Sequence, residues 1–176
     1  MIRFKAFLVC SLVLLVAGTA FAGSKMKARA DMLDASGKSI GTASLTEQKD
    51  GVKVVLKVSG LTPGKHGFHI HETGNCSTPD FKSAGGHFNP FHKQHGMKNP
   101  QGKHVGDFQN LEVKEDGTAE MTVVAEGATL RKGEASLLKK GGTALVIHAD
   151  PDDAMTDPAG NAGARVACGV IVKTKK

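Results

Sequence analysis

The chain has 176 residues, enough for one well-packed domain and too few for two comfortable ones. Its 23 Lys and Arg against 17 Asp and Glu give a formal charge of +6, and 22 Gly with 6 Pro beside 40% hydrophobic residues suit a globular protein with many tight turns. Trp and Tyr are absent, which excludes a core built on large amphipathic rings and leaves it to Val, Leu, Ile, Ala and the 8 Phe.

Residues 1–22 read as an export signal rather than as structure. Arg3 and Lys5 form a positive n-region, Phe7 to Val16 an apolar h-region, and "AFA" (Ala20–Ala22) a small-residue cleavage site. The apolar run is short for a transmembrane span of about 20 residues. Cys10 follows bulky Leu8 and Val9 and precedes most of the h-region, which argues against a lipid-modified cysteine. The mature domain is expected over residues 23–176, exported to a periplasm or to the extracellular space. Losing Arg3 and Lys5 leaves 21 basic against 17 acidic residues, a formal +4.

From about residue 26 the apolar pattern has period 2. "MKARADML" and "SIGTASLT" flank the turn "DASGK", and Asp50–Gly51 leads into "VKVVLKV". In "GFHIHE" (residues 67–72), His69 and His71 sit at i and i+2. One strand would therefore place both imidazoles on the same face, with Phe68 and Ile70 on the other. "NLEVKEDGTAEMTVV" reads as a hairpin turning at Asp116–Gly117. "TALVIHA" and "ARVACGVIVK" read as two buried strands near the C-terminus. No window after the signal carries a 3.6-residue period. Short strands with Gly-rich turns predict an all-β fold, a sandwich or barrel. Residues 73–108 and 149–164 resist strand assignment, and loops of that length in a compact domain are functional or disordered.

Those loops hold nearly all of the chemistry. Seven of the 8 His fall between residues 66 and 104, and His148 closes the apolar run "ALVIHAD". His87, His95, His104 and Asp107 follow at gaps of 8, 9 and 3, and imidazoles with one carboxylate suit a closed tetrahedral Zn(II) shell. A generic metal-scavenging His-rich loop is the alternative for that interval alone. Of the 3 Cys, Cys76 and Cys168 survive signal removal. In an exported chain such a pair favours a disulfide, here closing a loop of 92 residues (168 − 76). There is no C-x-x-C motif to support thiol exchange.

"GKHGFHIHE", "GGHFNP", "KHVGD", "VIHADPDD" and "GNAGARVACGV" together resemble the copper/zinc superoxide dismutases, in the same order and with matching spacing over nearly all of residues 28–173. The resemblance implies a Greek-key β-barrel or immunoglobulin-like sandwich of about eight antiparallel strands with two long functional loops. It implies copper on His69, His71, His87 and His148, and zinc on His87, His95, His104 and Asp107, with His87 shared. It makes Arg165 the guanidinium that attracts the superoxide anion beside copper. Asp152 becomes the carboxylate that bridges one ligand of each metal, with Asp150 and Asp153 as neighbouring alternatives. Cys76 and Cys168 match the family disulfide. His66 matches a structural histidine bonded to backbone, whereas His92 matches nothing and is left on the surface.

The activity implied is dismutation of superoxide to oxygen and hydrogen peroxide, with Cu and Zn as cofactors. The alternatives are an exported non-enzymatic copper-binding or buffering protein on the same fold, which would be expected to lack a copper ligand or the arginine, and an adhesion module needing no ligand set. Neither nucleic acid nor a stable membrane association is expected, and monomer and homodimer both remain open. Many relatives carry guiding lysines where loop 149–164 has only Asp150, Asp152, Asp153 and Asp157 as charged residues, so steering would fall to Arg165 with Lys82 or Lys93. The basic run "LRKGEASLLKKGG" (residues 130–142) reads as a solvated loop or as a patch for an anionic surface.

Overall fold

The computed structural model describes residues 25–174; the expected export signal, residues 1–22, lies outside them. Alternating inward side chains build the first three strands. Ala28, Ala30 and Met32 point into the core from β1 (Lys27–Asp34). Ile40, Ala43 and Leu45 do so from β2 (Ser39–Glu47), and Val52, Val54, Leu56 and Val58 from β3 (Gly51–Val58). The expected "DASGK" turn joins β1 to β2. There the Asp34 carboxylate accepts from the Ser36 and Lys38 amides at 2.9 and 3.0 Å.

After β3 come β4 (Gly64–His66), β5 (Phe68–His71), one 3-10 turn (Lys82–Ala84), β6 (Leu111–Val113) and β7 (Ala119–Glu126). The chain ends with β8 (Ala144–His148), β9 (Arg165–Val170) and β10 (Val172–Lys173). Among the described residues, ten strand segments therefore stand where about eight were expected. The surplus arises because the predicted strand "ARVACGVIVK" divides between β9 and β10, and because short β4 and β6 pair only with each other.

One antiparallel sheet runs β5-β8-β9-β1-β2-β3-β7, with β10 on β1. Strands β1, β2 and β3 are connected as a meander, and β9 returns to the other edge of β1, a Greek-key relation. Residues from both ends of that order share one hydrophobic cluster, so the sheet curls around its core. Phe68 is fully buried there and stacks on Phe108 at 5.3 Å. Burial of a side chain that size stabilises by roughly 1.5–3 kcal/mol.

The predicted hairpin at residues 110–124 is corrected in one respect. Its turn is present, with the Lys114 amide donating to Thr118 O at 2.9 Å, but its arms separate. β6 pairs with β4, while β7 takes an eight-residue register along β3. The long ladder with β3 offers more paired backbone groups than a three-residue arm could. The intervals 73–108 and 149–164 are loops apart from the single 3-10 turn, as their composition predicts.

Candidate metal centre

Strand β5 is an edge strand, and its free edge is where the centre is assembled. On one side it pairs with β8, with His69 opposite Val146 and His71 opposite Ala144. An edge presents unpaired N–H and C=O groups that must find partners. Here the 73–108 loop supplies them. Ile70 N donates to Gly106 O at 2.9 Å, Phe88 N donates to Ile70 O at 2.8 Å, and Glu72 N donates to Gly86 O at 2.9 Å. These bonds seat Asp107 against His69 and His87 against His71. Gly106 is required at this crossing, because a Cβ there would strike Ile70 O.

All four residues of β5 are buried, so neither His69 nor His71 is solvated. Phe68 and Ile70 face the core while His69 and His71 join His87 and His148, as the i, i+2 spacing predicts. Among the described residues three groups of potential ligand atoms form, each within 4.8 Å: His69, His71, His87 and His148; His87, His95, His104 and Asp107; and His69, His95 and Asp152, which links the first two. His87 belongs to both the first and the second.

In the first group, His71 Nδ1 lies 2.9 Å from Gly85 O and His148 Nδ1 lies 3.3 Å from Gly163 O. A carbonyl only accepts, so each Nδ1 carries the hydrogen and each Nε2 presents a lone pair. Those two Nε2 atoms face each other at 3.3 Å. Burial first, then neighbouring His87, holds the His71 pKa down to about 2; burial, then His69, holds that of His148 down to about 3. Neither ring is protonated at neutral pH. Two opposed lone pairs without a proton are repulsive unless a cation lies between them. His69 Nδ1 and His87 Nε2 are also buried without a hydrogen-bond partner among the described residues. Such orphaned atoms are costly in a folded protein, and a metal ion relieves that cost. Nitrogen-only donors suit copper in both of its common oxidation states.

In the second group, three Nδ1 atoms converge on one oxygen. Asp107 Oδ1 lies 2.9 Å from His87, 3.1 Å from His95 and 3.3 Å from His104. A tetrahedral ion with bonds near 2.0 Å has donor–donor edges of about 3.3 Å, so the spacing fits zinc. The other oxygen, Oδ2, accepts from the Gly96 and His104 amides at 3.0 Å each. Burial works to raise the Asp107 pKa, but the close approach of His104, His87 and His95 overcomes it and holds the carboxyl far below the usual range. Burial alone would lower that of His95; Asp107 and Asp152 outweigh it and raise it to about 9. Burial outweighs Asp107 at His87, which falls to about 4. Asp107 is thus ionised and His87 neutral, as metal binding needs, while His95 keeps one proton that zinc would displace.

Asp152 is the carboxylate that joins the groups. Its Oδ2 lies 2.6 Å from His69 Nε2 and its Oδ1 lies 3.0 Å from His95 Nε2. Asp150 and Asp153, the neighbouring alternatives, are exposed. Two supports had no sequence signal. Asn110 grips the Asp152 backbone with both ends of its amide, each at 2.8 Å. Asp157 accepts from the His95 amide at 2.6 Å and so ties loop 149–164 to the other loop.

Arg165 stands opposite His148 in the β8–β9 register. Its Nη1 donates to Phe81 O at 2.7 Å and its Nη2 to Gly85 O at 2.6 Å. Gly85 O therefore orients both the guanidinium and His71. The loop carrying those carbonyls is fastened by Cys76–Cys168, with Cα atoms 5.6 Å apart, and Phe81 packs with Cys168 and Val146 on the outer face of β8. The expected disulfide is present.

A model of the family described as copper/zinc superoxide dismutase matches residues 39–171. The chain belongs to the copper/zinc superoxide dismutase family. Cu-Zn superoxide dismutase 1 of Aquifex aeolicus is 50% identical over 149 residues, spanning 84% of this chain and 88% of that one. A SOD-like protein from Bacillus subtilis superposes with a TM-score of 0.79 at 39% identity, covering 82% of this chain and 97% of that chain. The Cu/Zn superoxide dismutase of Brucella abortus does so with 0.67 at 32%, over 83% and 99%.

The remaining predicted residues also have places. His66 is buried with its ring nitrogens 2.7 Å from His148 O and 2.8 Å from Thr62 O, the backbone-bonded role expected of it. His92 is exposed and belongs to neither ligand group. Lys82 lines the hollow beside Arg165 and pairs with Asp80 at 3.2 Å; Lys93 is not among the residues lining it.

Proposed function

We infer that this superoxide dismutase family member dismutes superoxide to oxygen and hydrogen peroxide. Copper would be held by His69, His71, His87 and His148, and zinc by His87, His95, His104 and Asp107. The observation that carries the assignment is the pair of buried donor groups meeting at His87, with a fixed guanidinium beside one of them. The chemistry supplied when both metals are bound is one-electron cycling between Cu(II) and Cu(I), with zinc adding charge but no redox of its own.

The residues do the rest. Arg165 is half-buried with two of its nitrogens committed to carbonyls, so its charge stays at one place beside His148. A small monoanion has little surface to grip, and a fixed cation gives it both direction and orientation. His87 rests its Nδ1 against Asp107, which leaves Nε2 as the ring atom free to take up and release a proton facing the first group. Asp152 holds His69 and His95 in their ring orientations. A non-enzymatic copper carrier would be expected to have dispensed with a copper ligand or with Arg165, and every one of these side chains is present.

We place the mature protein outside the cytoplasm, from Gly23 onward. Arg3 and Lys5, the apolar run and "AFA" support export, and the disulfide suits an oxidising compartment. Purified mature protein should begin at Gly23 by mass, hold one copper and one zinc, and consume superoxide. Bound metal without superoxide consumption would leave only the carrier reading.

Arg165 should govern rate rather than assembly. Arg165→Ala should keep both metals yet slow turnover, and Arg165→Glu should slow it further by opposing the anion. Wild-type activity should fall as ionic strength rises, because screening shortens the field. That dependence should flatten or reverse in Arg165→Glu. Superimposable salt profiles for the three proteins at equal copper content would remove Arg165 from steering.

A further inference from the structure

A groove of about 690 Å³ opens in a part of the surface that contains no metal-group residue. Arg131, Lys132, Lys139 and Lys140 line it from the 130–142 loop, and Lys173 lines it from β10. No Asp or Glu is among its lining residues. Removing those five cations from the mature chain's formal +4 would leave −1, so the surplus positive charge of the mature protein is accounted for by the cations of this one concavity. Lys25 and Lys49 line a neighbouring hollow that shares Arg131. The acid in that hollow, Glu47, accepts from Thr129 Oγ1 at 2.7 Å and from Leu130 N at 2.6 Å, and its Oε1 lies 3.7 Å from Arg131 Nε. Glu134, in the same basic loop, lines a second hollow with Glu72 and Phe88; Lys139 lines both hollows, with its Nζ 5.9 Å from the Phe88 ring centroid, so the other four cations belong more fully to the groove.

We propose that this groove docks the protein, reversibly, on the phosphate headgroups of an anionic phospholipid bilayer. Charge complementarity supplies the attraction, since lysines near such a surface each raise binding by roughly fivefold. The lining also includes Met26 and Leu138, both partly buried, which gives the cations an apolar floor. Long basic side chains over apolar residues match a boundary where phosphates overlie hydrocarbon. No aromatic side chain lines the groove, so it lacks the platforms on which nucleic acid bases stack. The 130–142 run is thus more than a solvated loop: the fold brings it against β10 and Met26 and makes a concave site.

Flotation of the mature, metal-loaded protein with vesicles tests the proposal. Binding is expected to vesicles containing phosphatidylglycerol, not to phosphatidylcholine alone, and should weaken as salt rises. Lys132→Glu/Lys140→Glu should lower binding by roughly tenfold or more while dismutase activity stays unchanged. Lys38→Glu/Lys65→Glu makes the same change in net charge outside the groove and should lower it far less. Equal binding to both vesicle types, or equal loss in the two double variants, overturns the proposal. Release by inorganic phosphate at matched ionic strength would make the groove a site for the free ion, and tighter retention by single-stranded DNA would make it a nucleic acid site; either result also overturns it.

Discussion

His148→Ala is expected to cut superoxide consumption by more than about a hundredfold while leaving zinc content and fold intact, whereas His87→Ala is expected to impair both metals. Loss of an outer residue that merely orients a ligand costs roughly 10–100-fold in affinity or activity, so loss of a ligand should cost more. The contrast follows from where each ring sits. His148 belongs only to the all-histidine group, and His95, His104 and Asp107 do not depend on it. His87 belongs to both groups, with Nδ1 on the Asp107 side and Nε2 unpaired on the other. Elemental analysis and superoxide assays on both variants check this. Full copper and full zinc in His87→Ala would remove the shared ligand, and undiminished activity in His148→Ala would remove His148 from the copper set.

Replacing the disulfide by alanines, Cys76→Ala/Cys168→Ala, is expected to cost about 4–5 kcal/mol of stability in the metal-free protein, judged from the 92-residue loop that the bridge closes. Activity should fall as well. The bridged loop supplies Phe81 O and Gly85 O, which hold the Arg165 guanidinium, and Gly85 O also fixes the His71 tautomer. Denaturant unfolding with and without metals, beside turnover at full copper loading, separates the two effects. Stability loss below about 1 kcal/mol with unchanged turnover would show that packing of Phe81 against Val146 and Cys168 holds the loop without the bridge.

Much of the site was legible because its residue types are expensive to place without purpose. The i, i+2 pair His69 and His71 declares a shared face once a strand is granted, and strand periodicity is a local property of the sequence. The same locality made β1, β2 and β3 readable from their alternation. The hairpin at residues 110–124 misled because a turn signal reports only the turn; which neighbour each arm pairs with depends on strands distant in sequence. Asn110 carried no signal for a similar reason. An amide before a strand has no pattern of its own, and its partner, the Asp152 backbone, lies 42 residues away.

By itself, then, the sequence determined the all-β class and the two long loops, which follow from period and composition along one chain, while its motifs resembled the family that implied the ligand set. Only the tertiary structure decided which acid of "HADPDD" reaches the rings, that His87 presents different nitrogens to its two neighbours, and that the basic run after β7 closes a groove with Lys173. The placing of His87 depends on the free edge of β5. Its unpaired backbone groups draw Gly86, Phe88 and Gly106 alongside, and the donor atoms then fall into place as a consequence of that pairing.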